Sequence, residues 1–321
     1  MTLAVIDTLS LPGDAARTNE DAFGHDDHAA VVMDGATPLG DSPGDGLMPG
    51  PSDAAWIAQF GARRLLAHLR DGAGGRKALR GALADAQKSF AALRRMPPKA
   101  MWQTPCASMM AVVEASTDQT PPGVRSAQQD GHGRSAQEGE VPVAGPRASE
   151  GRRGSETEFL WFGDCAALVA QDGRPVQVIG DGFDKRAAEA GRAAMLAKEK
   201  GVPPAARLPD FIEALRASRN RIGSGGHWLF MPDVKAATHV SRRVLTLAPG
   251  AVILLASDGF LALASDYGVY SADTLMAAAQ DRGLDALGEE LRAIEAADPG
   301  GETYPRFKSS DDATALLLRI V

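Results

Sequence analysis

Carboxylates beside apolar runs are the side chains of this 321-residue sequence best suited to chemistry. A carboxylate at the end of a buried strand is held on a rigid element, and several that converge repel one another unless cations neutralise them. We call each place where acidic residues adjoin an apolar run an acidic station. The stations are Asn19-Glu20-Asp21, Ala30-Val31-Val32-Met33-Asp34-Gly35, Trp161-Phe162-Gly163-Asp164, Leu255-Ala256-Ser257-Asp258-Gly259 and Ser310-Asp311-Asp312. We therefore expect these stations to share one sheet edge and to bind cations there.

The types of ligand indicate which cation and which reaction to expect. No His or Cys lies at a useful spacing from these carboxylates, and an all-oxygen site suits Mg²⁺ or Mn²⁺ rather than Zn²⁺. Two such ions about 3.5–4 Å apart lower the pKa of a shared water and hold the oxygens of a phosphoryl group during in-line displacement. Arg17, two residues before Asn19, offers two parallel donors that suit a phosphate, although by itself it is more typical of surface charge. The pattern predicts hydrolysis of a phosphoester.

Each acidic station also has a purely structural interpretation. Asp-Gly is a common turn after a strand, and Asp34, Asp164 and Asp258 taken singly are more typical of turn formers. Glu20-Asp21 also fits a solvated loop, and Asp311-Asp312 also fits a strand entry that satisfies backbone amides. The functional prediction therefore depends on their joint occurrence.

Apolar and β-branched runs predict the strands that would carry these stations. The turn residues Asp172-Gly173 and Pro249-Gly250 each separate two such runs, so they predict hairpins and antiparallel pairing. This order favours antiparallel sheets covered by helices over alternating βαβ units. The predicted strands are Leu3 to Ile6, Ala29 to Met33, Ala107 to Val113, Phe159 to Phe162, Ala166 to Ala170, Val176 to Ile179, Val244 to Leu247, Ala251 to Ala256 and Thr314 to Val321.

Two amphipathic helices are predicted after the Asp34 station, and they would form a helical layer. Ser52 is suited to cap the first, which has its apolar residues on one face and ends near Gly72. The second repeats apolar residues at helical spacing until Pro97-Pro98 stops the pattern. Later helices are predicted at Lys185 to Lys198, Asp210 to Arg219 and Ala272 to Ala297.

Composition limits the class of protein. With 44% hydrophobic and 23% charged residues, the chain can bury one large core or two small ones. A net charge of −7 without a long Lys/Arg block argues against nucleic-acid binding. The most apolar stretch, Ala251 to Ala256, is too short to cross a membrane, and Asp7 interrupts the N-terminal apolar run before a signal peptide develops. Cys106 and Cys165 are too few for a disulfide framework, so we expect a cytoplasmic protein.

One long segment has a composition that cannot form a core. Thr117 to Thr157 contains no aromatic residue and no Leu, Ile or Met, and it is dominated by Gly, Pro, Ser, Gln, Arg and Glu. Such a composition is typical of disorder. We predict a disordered insertion between two strands of a single domain that spans residues 1–321.

Taken in order, the stations resemble the metal-dependent protein serine/threonine phosphatases of the PP2C (PPM) family. Arg17-Thr18-Asn19-Glu20-Asp21 resembles the family's opening Arg and acidic pair, and Val32-Met33-Asp34-Gly35 resembles the strand ending in its Asp-Gly. Gly163-Asp164 resembles the Gly-Asp of the central hairpin. Leu254-Leu255-Ala256-Ser257-Asp258-Gly259 resembles the Ser-Asp-Gly strand end, and Asp311-Asp312-Ala313-Thr314 the closing acidic pair. The resemblance, from residue 17 to the C-terminus, implies an α+β fold: a four-layer α-β-β-α sandwich of two antiparallel sheets flanked by helices.

The resemblance implies a bacterial-type enzyme that hydrolyses phosphoserine and phosphothreonine in proteins, opposing a Ser/Thr kinase. The attacking water would be activated between two Mn²⁺ or Mg²⁺ ions. Asp34 would bridge these ions, with the Gly35 carbonyl on one and with Asp258 and Asp311 on the other.

The resemblance gives the other stations supporting roles. Glu20 and Asp21 would hold metal-bound waters, and Asp164 would belong to a third, weaker metal site. Arg17 would bind the phosphate of the substrate. No membrane and no nucleic acid is implied as a partner.

Departures from the family pattern keep alternatives open. Ala36-Thr37-Pro38 stands where the family often has His-Gly-Gly, so no general acid is assigned, and Asp164-Cys165-Ala166 stands where Ser-Arg usually follows the Asp. One alternative is a pseudophosphatase or phosphopeptide-binding regulatory protein without turnover, and another is a metal hydrolase of small phosphate esters. Phe183 to Val240 is predicted to hold a variable flap near the active site.

Overall fold

The computed structural model describes residues 2–40, 46–115, 154–183, 191–195, 198–199, 201, 212–224, 227–306 and 308–321. Its strands are β1 (Leu3–Leu11), β2 (Asp21–His25), β3 (Ala29–Gly35), β4 (Ala107–Glu114), β5 (Ser155–Phe162), β6 (Ala166–Ala170), β7 (Gln177–Ile179), β8 (Ser241–Leu247), β9 (Val252–Ala256) and β10 (Ala313–Ile320). Its α-helices are α1 (Asp53–Arg70), α2 (Gly75–Leu93), α3 (Ile212–Arg219), α4 (Asp258–Ser265), α5 (Ala272–Arg282) and α6 (Leu284–Ala297). Short 3₁₀ helices cover Met101–Gln103 and Val234–His239.

Two five-stranded antiparallel sheets lie face to face. The first has the strand order β1-β10-β9-β6-β7, and the second has the order β2-β3-β4-β5-β8. Successive side chains of a strand point to opposite faces, so Val32 of β3 packs between the sheets whereas Val31 and Met33 pack toward helices. Because both faces of the central strands are covered, these strands have continuous apolar sequences.

A helical layer covers the outer face of each sheet. α1 and α2 pack on the second sheet, where Ile57 and Leu79 share an apolar cluster with Met33. α4, α5 and α6 pack on the first sheet, where Phe260 shares a cluster with Leu317. The predicted α-β-β-α sandwich is confirmed.

Local sequence signals determine where the helices begin and end. The Ser52 hydroxyl caps α1 by accepting a hydrogen bond from the Ala55 amide at 3.3 Å. α2 ends where Arg94 leaves the helical region with ψ 138°. The prediction of one helix from Ala272 to Ala297 is wrong, because Gly283 adopts φ +80° and divides it into α5 and α6.

One of the two predicted hairpins is present. Gly173 adopts φ +72° in the turn that joins β6 to its antiparallel partner β7. The hairpin predicted at Pro249-Gly250 is wrong, because β8 pairs with β5 in the second sheet whereas β9 lies between β10 and β6 in the first. This turn carries the chain from one sheet to the other. A turn motif defines a local reversal, but long-range pairing decides whether the flanking strands become partners.

Two strand boundaries differ from the sequence prediction. β2 belongs to none of the predicted runs, because it is a short edge strand that contains Gly24 and two polar ends. β5 begins at Ser155, inside the predicted insertion, and Thr157 is fully buried where β5 pairs with β8. Residues 117–153 of the predicted insertion lie outside the described residues.

The predicted flap is described in part. The helix expected at Asp210 to Arg219 is observed as α3, and its first two predicted residues lie outside the described residues. The helix expected at Lys185 to Lys198 also lies largely outside them, although residues 191–195 are helical. Among the residues that are described, no helix has both the length and the apolar character required to cross a bilayer.

Candidate metal centre

Strand pairing brings the predicted acidic stations together. β2 and β3 are antiparallel, with Asp21 directly opposite Asp34. Asp258 begins α4, just beyond the end of β9. The Ser257 amide donates to the Thr314 carbonyl at 2.9 Å, which places the Asp258 station beside the start of β10. The stations at Asp21, Asp34, Asp258 and Asp311 therefore lie where strands of both sheets end.

Three carboxylates converge at this edge. One oxygen from each of Asp34, Asp164 and Asp258 lies within 4.8 Å of the other two. Asp164 accepts a hydrogen bond from the Ser108 hydroxyl at 2.5 Å, and Ser108 lies opposite Asp34 in the β3–β4 register. Three negative charges at this spacing require compensation, and their all-oxygen donor set suits Mg²⁺ or Mn²⁺.

Asp21 adds a buried carboxylate to the same region. It is 5% exposed, and neither of its oxygens has a partner in good hydrogen-bond geometry among the described residues, although the hydroxyls of Ser257 and Thr314 lie near enough to lower its pKa. Burial, together with the negative charges of Asp311 and Asp312, raises the pKa of Asp21 to about 7. Buried polar atoms in folded proteins are nearly always paired. An orphaned buried carboxylate therefore fits a centre that holds a cation.

The neighbouring carboxyl groups of Asp34 and Glu20 also have raised pKa values. Burial raises the pKa of Asp34 well above its ordinary value, and the charges of Asp258 and Asp21 raise it further. Burial also raises the pKa of Glu20, although the Ser52 hydroxyl donates to its carboxylate at 2.5 Å. In the metal-free protein these charges are compensated only in part, and a divalent cation would supply the rest.

A solved structure is similar to this chain over its full length. The serine/threonine phosphatase PstP/Ppp of Mycobacterium tuberculosis aligns over 100% of this chain and 99% of its own, with a TM-score of 0.52 and 14% sequence identity. The chain has the PP2C phosphatase fold.

Two further structures align with lower scores. The PPM Ser-Thr phosphatase MsPP of Mycobacterium smegmatis covers 99% of this chain and 100% of its own at 16% identity and a TM-score of 0.48. The SpoIIE structure from Bacillus subtilis, which contains a PP2C phosphatase domain, covers 100% of this chain and 64% of its own at 10% identity and a TM-score of 0.49. No protein-family model and no curated protein sequence matches the chain.

In this PP2C fold, a lysine that the sequence analysis did not single out enters the acidic centre. The Lys308 Nζ lies 2.6 Å from Asp311 Oδ1. Burial opposes the positive charge, but contact with Asp311 and the charges of Asp34 and Asp258 raise the pKa of Lys308 above its ordinary value. The only sequence signal was the three-residue spacing from Asp311. That spacing is common in loops and does not by itself indicate a site.

Arg292 of α6 fixes the backbone on which Asp311 stands. Its guanidinium donates to the carbonyl of Asp311 at 2.9 Å, and to those of Leu11 and Pro12 at 3.3 and 3.2 Å. The end of β1 and the entry to β10 are thereby held together. Arg292 was missed by the sequence analysis because an arginine inside an amphipathic helix ordinarily faces solvent.

Asp312 is a scaffold residue, and it organises the segment that carries Arg17. Its two carboxylate oxygens accept hydrogen bonds from the amides of Gly13 at 2.7 Å and Glu20 at 2.6 Å. Arg17 lies between these two anchors and is exposed, with its own amide donating to the Asp14 carbonyl at 2.9 Å. The structure thus leaves Arg17 at the surface, outside the group of carboxylates.

Helix α3, which lies in the region predicted to hold a flap, is hydrogen-bonded to the loop that follows Asp34-Gly35. Arg216 donates to the Leu39 carbonyl at 2.9 and 2.6 Å, and Arg219 donates to the Thr37 carbonyl at 2.6 Å. This loop replaces the His-Gly-Gly that the family often has. Arg216 and Arg219 therefore connect the predicted flap region to the loop after the strand that carries Asp34.

Gly259→Ala is expected to destabilise the fold and the centre together. A Cβ at residue 259 would lie 2.0 Å from the Asp312 carbonyl oxygen, so either α4 or the Asp311–Asp312 backbone must shift. We expect a loss of about 1–3 kcal/mol in the free energy of unfolding and weaker Mn²⁺ binding, measured by urea denaturation and calorimetry.

Gly191→Ala is the matched control for this substitution. Residue 191 is helical, and a Cβ there would meet no atom of the described residues within 4 Å. Its unfolding midpoint should be unchanged or slightly higher, because Ala favours helix over Gly. Equal midpoints for the two variants would contradict the proposed close contact at Gly259.

Proposed function

We propose that this chain is a divalent-metal-dependent phosphatase that hydrolyses phosphoserine and phosphothreonine in proteins. The proposal is carried by one observation, the convergence of Asp34, Asp164 and Asp258 at one edge of a PP2C fold. The buried and unpartnered carboxylate of Asp21 gives it independent support. A protein that only binds phosphopeptides has no need of this set of carboxylates, which favours turnover over the pseudophosphatase alternative.

The carboxylates would hold two Mn²⁺ or Mg²⁺ ions. We assign Asp34 as their shared ligand, the Gly35 carbonyl to one ion, and Asp258 and Asp311 to the other. Bound at such a centre, the ions lower the pKa of water and offset charge on the phosphoryl oxygens. The remaining donors are Asp21, Glu20 through water, and Asp164 at a third ion.

Residues of the chain itself would orient the phosphate group. Arg17 is exposed on a segment held at both ends by Asp312, and its guanidinium suits two phosphate oxygens. Water attacks phosphorus, the bond between phosphorus and the Ser or Thr oxygen breaks, and inorganic phosphate leaves. Ala36 stands where the family often has His, so we assign the proton of the leaving hydroxyl to solvent water.

The proposed substrate is a phosphorylated protein, and the enzyme would oppose a Ser/Thr kinase. Arg17 lies exposed at the surface, where it could contact a phosphorylated side chain presented by a protein. Cys106 and Cys165 are both free and buried, which is consistent with the cytoplasmic location that we propose.

The test is hydrolysis by the purified full chain of an aryl phosphate and of peptides that contain phosphoserine or phosphothreonine. We expect turnover that requires Mn²⁺ or Mg²⁺, that a chelator removes, and that Asp258→Ala lowers by at least about a hundredfold. Asp281→Ala is the matched control, because Asp281 is an exposed residue of α5 away from the centre.

Two outcomes would overturn the proposal, and each points to a different alternative. Mn²⁺ binding without turnover above that of Asp258→Ala would indicate a pseudophosphatase. Turnover of the aryl phosphate with none of the phosphopeptides would indicate a hydrolase of small phosphate esters.

A further inference from the structure

We propose that Lys308 is a resident cation of the metal centre, which neutralises Asp311 until a second divalent ion displaces it. The inference rests on the proposed function, because it concerns how the same centre takes up its metal ions. It makes Lys308 a positioning residue that sets the affinity of the second ion.

The geometry separates two parts of the centre. Asp34, Asp164 and Asp258 form the group with oxygens within 4.8 Å of one another, and Asp34 of this group would hold the first ion together with the Gly35 carbonyl. Asp311 contributes no atom to that group in the described structure, and its Oδ1 lies 2.6 Å from the Lys308 Nζ. An ammonium at that distance occupies the space that a divalent ion on the same oxygen would need.

The loop that presents Lys308 is anchored on both sides. Before it, the buried side chain of Arg306 pairs with Asp298 at 2.9 Å. After it, the Ser310 hydroxyl donates to Glu295 at 2.7 Å. The backbone of Lys308 is thereby held at the centre, so placing its side chain there costs little further ordering of the loop. The side chains of Lys308 and Asp311 are 36% and 26% exposed, so the pair is half-buried, and the anchored loop distinguishes it from a fully exposed ion pair.

Lys308 and the second divalent ion compete for Asp311 because both are cations and because the lysine side chain is flexible. A lysine ammonium is a compact charge on a flexible stem, so it can withdraw toward solvent without movement of the backbone. Withdrawal costs the ion pair with Asp311, and this cost is subtracted from the binding free energy of the second ion. The first ion, which we assign to Asp34 and the Gly35 carbonyl, bears much less of it. The two ions should therefore load in sequence, with the second clearly weaker.

The test is calorimetric titration of the metal-free full chain with Mn²⁺ for the wild type, Lys308→Met and Lys308→Arg. Met preserves the length of the side chain and removes its charge, whereas Arg preserves the charge. We expect Lys308→Met to tighten binding of the second ion at least tenfold and the first much less, and Lys308→Arg to behave like the wild type. Lys77→Met is the matched control, because Lys77 is exposed on α2, and it should leave both affinities unchanged.

Electron paramagnetic resonance of bound Mn²⁺ tests the wild type alone, which covers the case that Lys308→Met fails to fold. We expect isolated Mn²⁺ at one equivalent and a spin-coupled pair only in excess. Coupled pairs at one equivalent, or equal second-site affinities in the wild type and Lys308→Met, would overturn this inference and leave the proposed function standing. Failure of every variant to bind Mn²⁺ would overturn the proposed function itself.

Discussion

Asp34→Asn is expected to lower turnover by roughly a thousandfold, to abolish coupled binding of two divalent ions, and to make the metal-free protein more stable. Asp34 lies among Asp21, Asp164 and Asp258, and burial and these charges raise its pKa well above the ordinary value. An amide of the same shape removes one charge from this group. The free energy of unfolding without metal should rise by about 1–2 kcal/mol.

Opposite effects on stability and activity distinguish a functional carboxylate from a structural one. Urea denaturation in chelator and turnover in Mn²⁺ measure the two effects on the same preparation. Asp281→Asn, at the exposed Asp281 of α5, should change neither. Lower metal-free stability of Asp34→Asn would mean that Asp34 is a turn former whose hydrogen bonds the fold needs.

The metal-free protein is expected to lose stability as the pH rises toward neutrality. Burial raises the pKa of Asp21 from 3.8 to about 7, so the folded state keeps a proton that the unfolded chain has already released. The stabilising contribution is complete below pH 3.8 and is lost as the pH rises through about 7. The loss from this residue alone is on the order of 4 kcal/mol.

Mn²⁺ should reverse this pH dependence, because it binds the deprotonated carboxylates of the folded state. Thermal or urea unfolding between pH 5 and pH 8, in chelator and in excess Mn²⁺, measures both curves. Asp21→Asn should make the curve in chelator less steep, since it removes one of the titrating groups, whereas Asp34 and Glu20 remain. A metal-free stability that stays level or rises from pH 5 to pH 8 would show that Asp21 is ionised and compensated in the absence of metal.

The sequence by itself predicted the layered fold and the main carboxylates because both depend on local patterns. Apolar runs with β-branched residues indicated the strands, and helical spacing indicated α1 and α2. Asp34 and Asp258 were identifiable because each lies at the end of an apolar run, Asp258 after the intervening Ser257, and precedes a glycine. β2 escaped detection, because five residues with a central glycine carry little periodic signal.

Only the tertiary structure decided which strands are neighbours and which charges meet. The Pro249-Gly250 turn predicted a hairpin, yet β8 and β9 belong to different sheets, because pairing depends on partners far away in sequence. The joining of Asp164 to Asp34 and Asp258 in one group likewise depends on the packing of the two sheets.

The scaffold of the centre was the least predictable part from sequence. Lys308, Arg292 and Asp312 act through contacts with backbone and side chains that no short motif encodes. Their residue types are ordinary on a protein surface, so only their positions reveal what they do. The amino-acid sequence therefore determined which acidic side chains are available, and the folded structure determined how their charges are gathered, held and compensated, because electrostatic energy depends on distance and burial rather than on order along the chain.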